Sequence, residues 1–132
     1  MTKEQLHQAY LNTSFKVLTN PSSIIKINSV VPELNHLDRW VFLSAWNPMS
    51  KGLSLEENRK RNQNLEEDVK RLGLQYIPGI GISEDEQWSE ESFLIANCSQ
   101  EKANGLAVKY KQLAFVFGKK GEVAKLVYTT FL

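Results

Sequence analysis

Six polar side chains in this sequence have types and spacing suited to chemistry: Asn47, Ser50 and Asn58 around the Trp46-Asn47-Pro48 break, the pair Glu90 and Glu91, and Gln112. Amide side chains orient a ligand through their paired donor and acceptor atoms, a hydroxyl contacts an anion, and a carboxyl group carries charge or exchanges a proton. Glu90 and Glu91 have the look of an acid/base pair. Neighbours on a strand point to opposite faces, however, so only one of them should enter a given pocket unless a bulge re-aims the other. A Mg²⁺ site built from carboxylate and amide oxygens lacks diagnostic spacing here. "GIGIS" is not a dinucleotide fingerprint, because it has neither the third glycine nor a following helix. Neither a metal nor a cofactor is predicted.

These groups need elements to hold them. Thr2 and Gln5 have capping-box spacing, and Leu6, Ala9, Tyr10 and Thr13 recur at helical intervals, which predicts a short N-terminal helix docked on a sheet edge. "SFKVL" and "SIIKIN" flank the Asn20-Pro21 turn as a hairpin. "WVFLSAW" is apolar on both alternating faces and suits an interior strand. The long helix spans about 55–72, with Ser54 and Glu57 as its capping box and Gly73 as its stop. "LQYIPGIGIS" and "ESFLIAN" follow as strands, and Pro78 argues that the first is short or lies at an edge. Ser99 caps a second helix over about 100–110, and "QLAFVFG" with "EVAKLVYTTF" closes the chain as a hairpin across Lys119, Lys120 and Gly121. The expectation is a single α+β domain over residues 1–132, or a mixed-sheet α/β one, with a mixed sheet of about five to seven strands and three helices.

Topology brings the polar groups to one end. A strand, a helix and a strand joined by short connections form a right-handed crossover, so "VFLSAW" and "LQYIPG" should run the same way. If "ESFLIAN" returns beside the latter, Glu90, Glu91 and Ser92 begin where Trp46 and Asn47 finish. A second crossover through the 100–110 helix makes "QLAFVF" parallel to "ESFLIAN" and starts Gln112 at that end too. On the long helix, Asn58 and Asn62 share the face of Leu55, Leu65, Val69 and Leu72. A buried amide costs about 1–3 kcal/mol if unpaired, so each should have a specific partner.

Some of these residues have simpler explanations. Asn47-Pro48 reads equally as turn chemistry, and Ser54 with Glu57 as a helix cap. Asn58 reads as a buried amide tying down a loop or as a ligand contact. Trp46 and Trp88 are core or pocket wall, and His7 and His36 have no helpful context.

Composition bounds the answer further. The 132 residues suffice for one core, and a net charge of +1 gives no bulk argument for nucleic acid or an anionic membrane. The acidic stretch Glu84 to Glu91 and the basic one from Lys102 to Lys125 read as solvated faces. Cys98 is the only cysteine, so no internal disulfide forms. With neither a signal-like N-terminus nor a run long enough to cross a bilayer, a cytoplasmic protein is expected.

At these same positions the chain resembles a bacterial family, domain of unknown function 3293. The resemblance rests on Ala9, Tyr10 and Thr13, on an AWNP-x-S loop formed by Ala45, Trp46, Asn47, Pro48 and Ser50 with Asn58 downstream, and on Trp88, Glu90, Glu91, Ser92, Phe93 and Leu94, with Gln112 and Ala114 last. Phe15 stands where the family tends to have Tyr, and Leu113 separates Gln112 from Ala114. The resemblance implies no particular activity.

The functional expectation is a site for a small polar or anionic ligand, such as a metabolite or nucleotide-like compound, with or without catalysis. Its expected residues are Trp46, Asn47, Pro48, Ser50, Asn58, Glu90 or Glu91, Ser92 and Gln112. Ser50 and Lys51 would meet an anion at the start of the long helix, whose free N–H groups and dipole favour negative charge. The rival is a protein interaction or regulatory module in which these residues only brace loops and the acidic segment meets a partner.

Overall fold

A computed structural model describes residues 2–132, in the order α1 (Lys3–Asn12), β1 (Ser14–Val17), β2 (Ser23–Ile25), β3 (Arg39–Leu43), α2 (Leu55–Arg71), β4 (Tyr76–Ile82), β5 (Ser89–Ala96), α3 (Gln100–Lys109), β6 (Ala114–Lys119) and β7 (Lys125–Tyr128). Each helix starts where its cap residue dictates. The Thr2 hydroxyl accepts from the Gln5 N–H while the Gln5 side chain accepts from the Thr2 N–H, whereas at α2 and α3 only half of that arrangement forms, the Ser54 and Ser99 hydroxyls accepting from the N–H groups of Glu57 and Lys102. Gly73, at φ +71°, supplies the left-handed residue that ends α2.

The strands form one curled seven-stranded sheet, β2-β1-β4-β5-β3-β6-β7, and every neighbouring pair is antiparallel. This is an α+β fold, and the expected mixed sheet is corrected. β3 and β4 do run the same way, as do β5 and β6, but they are not neighbours. β5 inserts between the first pair and β3 between the second, so each crossover skips a strand and the ladders alternate in direction.

Pro78 also misled. β4 is seven residues long and lies inside the sheet, paired to β5 from Tyr76 to Ile82. The Pro78 carbonyl accepts from Leu18 N, so its nitrogen faces the β1 side, where β1 has already ended at Val17. The missing N–H therefore interrupts no ladder bond with β5.

Apolar side chains fill both faces. Val41, Leu43, Phe93 and Ile95 meet Leu65 and Val69 of α2 and Ala103, Leu106 and Ala107 of α3. On the other face Phe15, Val17, Ile25, Trp40, Phe42, Leu94 and Val116 pack together as the sheet curls on itself, with Tyr10 and Leu11 of α1 against them. Close approach across this curled face has a local cause. A Cβ on Gly79 would lie 2.6 Å from the Phe42 ring, and one on Gly118 would lie 2.1 Å from the Trp40 indole, so each aromatic ring occupies the space a side chain would take.

The first helix meets both edges of the sheet rather than a single one. His7 and Tyr10 touch Tyr128 of β7, while Lys26 Nζ, just beyond β2, donates to the carbonyls of Asn12 and Thr13 at the other end. α1 thus crosses the open side of the curl, from one end of the sheet toward the other. Among the described residues no helix is long and apolar enough to cross a membrane.

Candidate functional site

β3 stops at Leu43, three residues earlier than the apolar run suggested, because from Ser44 onward the backbone bonds are taken by side chains rather than by a neighbouring strand. Asn62 Oδ1 receives Ala45 N at 3.3 Å, and Arg61 Nε donates to Ala45 O at 2.8 Å. Ser44 Oγ receives Trp46 N at 3.0 Å, and Gln112 Nε2 donates to Trp46 O at 3.0 Å. Asn58 then locks the turn: its Oδ1 receives Asn47 N at 2.8 Å and its Nδ2 donates to Asn47 Oδ1 at 2.7 Å. Asn47 Oδ1 also receives Leu53 N at 3.1 Å, which closes the 47–53 loop. Every polar group of the buried Asn58 is therefore spent inside the protein, where Asn58 holds the loop.

The loop held this way is strained. Asn47, Met49 and Ser50 have φ of 45°, 55° and 59°, a left-handed conformation that Asn tolerates and Met does not favour. Met49 N is fixed by the Lys111 carbonyl at 2.7 Å. Such strain persists only where the surroundings over-determine it, and here it turns Ser50 and Asn47 toward α1.

Between that loop, α1, the 83–88 turn and the start of β5 lies a cleft of about 460 Å³. Tyr10, Asn47, Ser50, Trp88, Glu90 and Gln112 line it, together with Leu6, Ala9, Thr13, Gly52, Ser83, Asp85, Gln87 and Leu113. Tyr10, Thr13, Trp88, Glu90 and Gln112 also line a slot of about 50 Å³ that continues between the strands past Ser44, Ser92, Phe42 and Val116.

Register decides which glutamate enters. Glu90, Ser92 and Leu94 share one face of β5 and Glu91, Phe93 and Ile95 the other, so Glu90 faces the cleft while Glu91 faces α2 and pairs with Arg59 at 3.2 Å.

The electrostatics of the two differ accordingly. Burial pushes the Glu90 carboxyl up to about 8, partly offset by the Asn47 amide facing it. No lysine or arginine lines the cleft among the described residues. Tyr10 is pushed above the usual phenol range by its own burial and by the charges of Glu90 and Tyr128, with a Ser50 hydrogen bond acting the other way. Asp85 goes down, because it accepts from Ser83 Oγ at 2.7 Å and Gln87 N at 3.0 Å. Chemically, the site presents a carboxyl group that holds its proton near neutrality beside a neutral phenol, two amides and an indole wall.

The structure thus brings Asn47, Ser50, Glu90 and Gln112 together at one cleft, and places Ser92 in the slot below. Trp46 is buried, Pro48 opens a short 3-10 turn, and Glu91 lies on the far face, so none of these three lines the cleft. Lys51 is exposed and does not line it either. The first turn of α2 carries Glu56 and Glu57 and is capped by Ser54, so of the groups on which an anion site was expected only Ser50 lines the cleft.

Tyr10, Thr13, Arg61 and Asp85 were missed as site or supporting residues. In the sequence Tyr10 and Thr13 present only a helix stripe, although both belong to the motif that carries the family resemblance. Arg61 gave no signal, since an arginine on a polar helix face reads as solvated. A second concavity, of about 520 Å³, is lined by Lys3, Glu4, His7, Gln8, Tyr128 and Leu132, all of them exposed.

An antiparallel α+β sheet with a helix across its open side and a carboxyl-bearing cleft beneath it defines the class. The profile of a family described as "Protein of unknown function (DUF3293)" matches residues 43–115, and the chain belongs to that family. The match runs from the end of β3 into β6 and so includes the strained loop, Asn58, Trp88, Glu90 and Gln112, whereas Tyr10 on α1 lies outside it. No curated protein and no solved structure matches the chain.

Proposed function

We propose that this protein binds a small polar ligand in the cleft between α1 and the 46–52 loop, with Glu90 as the group that gives or takes a proton. The observation that carries this reading is Glu90 itself: a half-buried carboxyl with no cation lining its cleft, faced by the Asn47 amide in a concavity that Tyr10, Ser50 and Gln112 also line. A fold does not keep such a group for stability, because its charged form is poorly compensated where it stands. A carboxyl that titrates near neutrality also meets the main requirement of a general acid or base. The trussed loop fits the same role, since a site is most precise when the residues around it fix its rotamers and backbone.

The test is a thermal-shift screen of the whole chain against polar metabolites and nucleotides, repeated on Trp88→Ala. A true ligand at 100 times its Kd stabilises the fold by roughly 2.7 kcal/mol, and truncating the indole wall should remove most of that shift. Uniformly flat responses across the screen, or shifts that Trp88→Ala leaves intact, would overturn the reading.

A further inference from the structure

The lining of the cleft is biased in its chemistry, and the bias names a ligand class. Gln112 is more than nine-tenths buried, and its amide is held in one orientation because Nε2 donates to both Trp46 O, at 3.0 Å, and Tyr110 O, at 3.2 Å. A flipped amide would set its oxygen against two carbonyls, so the orientation is fixed. Its Oε1 receives no protein donor, yet no side-chain polar atom of the described residues is both sealed from solvent and unpaired. In a residue that lines both the cleft and the slot, this leaves Oε1 as an acceptor presented to the cavity.

Glu90 adds a carboxyl group at the same place, and Asp85 a second one at the rim. The exposed Trp88 indole, 47% accessible, offers a π face beside them. Acceptors, negative charge and an aromatic wall, with no basic side chain among the described lining residues, are the complement of a positively charged N–H donor. We propose that the cleft takes a small organic cation, an amine or amidine whose N–H groups are received by the Glu90 carboxylate and the Gln112 carbonyl, with Trp88 flanking its charge. This rests on the reading of the cleft as a ligand site and names what that site selects.

A pH dependence follows. The titratable and polar groups around Glu90 are Asn47, whose amide faces it, Tyr10 from α1, with Tyr128 of β7 behind it, and, sharing the cleft lining, Asp85 from the 83–88 turn and Ser50 from the loop. Arg59 lies on the opposite face of β5 with Glu91, Lys51 points to solvent, and His7 is bonded to the Tyr128 hydroxyl. No basic group therefore competes for the Glu90 carboxylate. Because Glu90 holds its proton up to about pH 8, a cation must displace that proton to bind, and affinity should rise with pH and level off above about 8.

The experiment is a two-dimensional amide and indole NMR titration of the full chain. The probes are benzamidine, benzamide as its neutral shape match and benzoate as the anionic one, each at up to about 10 mM to reach millimolar affinities. Benzamidine should shift the Trp88 indole and the amides of Gln112 and Glu90, bind roughly 25-fold tighter at pH 8.5 than at 6.5, and exceed benzamide by about tenfold or more at the higher pH. In Glu90→Gln the pH dependence should vanish and the preference over benzamide should fall. Benzamide or benzoate binding there as well as benzamidine, or benzamidine affinity independent of pH, overturns the cation assignment while leaving the ligand site standing. If all three probes leave these resonances unmoved, the assignment fails, and the metabolite screen alone decides the site.

Discussion

Asp68 and Glu90 are both carboxyl groups drawn away from bulk water, one on α2 and the other at the start of β5, and the fold treats them in opposite ways. Asp68 receives the Tyr110 hydroxyl at 2.5 Å, Lys109 Nζ at 2.7 Å and Arg71 Nη1 at 3.2 Å. Burial alone would raise its titration point, but the bonds from Lys109 and Tyr110 and the charges of Lys109 and Arg71 outweigh burial and hold it below the usual carboxylate value. Burial acts in the same direction on Glu90, with only an Asn47 amide against it, and Glu90 goes up. Burial alone does not decide the outcome. What decides it is whether the chain supplies donors, and it does so where two helices must be tied together but not where a cavity opens.

If Asp68 is a strut, removing it should give the largest effect. Asp68→Ala strands the buried Tyr110 hydroxyl and leaves Lys109 and Arg71 without their partner, so a loss of about 2–4 kcal/mol in urea unfolding is expected. The folded-state titration point is depressed, so the contribution is fully present above the ordinary aspartate value of 3.8 and is lost as pH falls through the lower folded value. The difference between wild type and Asp68→Ala should therefore shrink in acid. A difference of under about 0.5 kcal/mol at neutral pH would mean that α2 and α3 are held by their apolar contacts alone.

Glu90 should respond with the opposite sign. Its folded titration point is raised, so the folded state holds a proton that the unfolded state has released, and stability falls as pH rises from about 4.5 to about 8. Glu90→Gln keeps the shape and removes that liability. The variant should match wild type below about pH 4.5 and exceed it by about 1–3 kcal/mol at pH 8.5, the shift being discounted for water access to the cleft. Parallel denaturation series at pH 4.5, 6.5 and 8.5 measure this. A variant less stable than wild type at pH 8.5 would make Glu90 a second Asp68, with donors that matter to the fold.

What the sequence discloses about this contrast depends on how local each determinant is. The helix starts were legible at Thr2, Ser54 and Ser99 because a cap and its N–H partner lie three residues apart. Strand directions were legible because a helix between two strands of one sheet carries the chain back to the end where the first strand began. Strand order was not, because insertion of β5 between β3 and β4 is chosen by packing of the whole sheet, and the same non-local choice placed Pro78 in an interior strand. At the site, alternation said that one glutamate would enter the cleft, but only register against β3 and β4 selects Glu90. Tyr10 joins it because α1 crosses the curl, and nothing in the helix stripe of α1 states where that helix will lie. Asp68 was likewise silent in sequence, since its partners Lys109 and Tyr110 are 41 and 42 residues away.

Glu91 supplies the smallest effect and the control for both carboxyl groups. It sits one residue from Glu90 and carries the same chemistry, yet it pairs with Arg59 at 3.2 Å in an arrangement where the two side chains stay 43% and 57% accessible. Two solvated ions held by long side chains contribute about 0–1 kcal/mol, and salt screens even that. Glu91→Gln should therefore change stability by no more than about 0.5 kcal/mol, without the pH dependence of Glu90→Gln, and should leave any ligand response at Trp88 unchanged. If Glu91→Gln reproduced the stabilisation of Glu90→Gln at high pH, the relevant property would be the summed negative charge of the Glu84 to Glu91 stretch. The face of β5 on which a carboxyl lies would then cease to matter, and the distinction drawn between the two glutamates would fail with it.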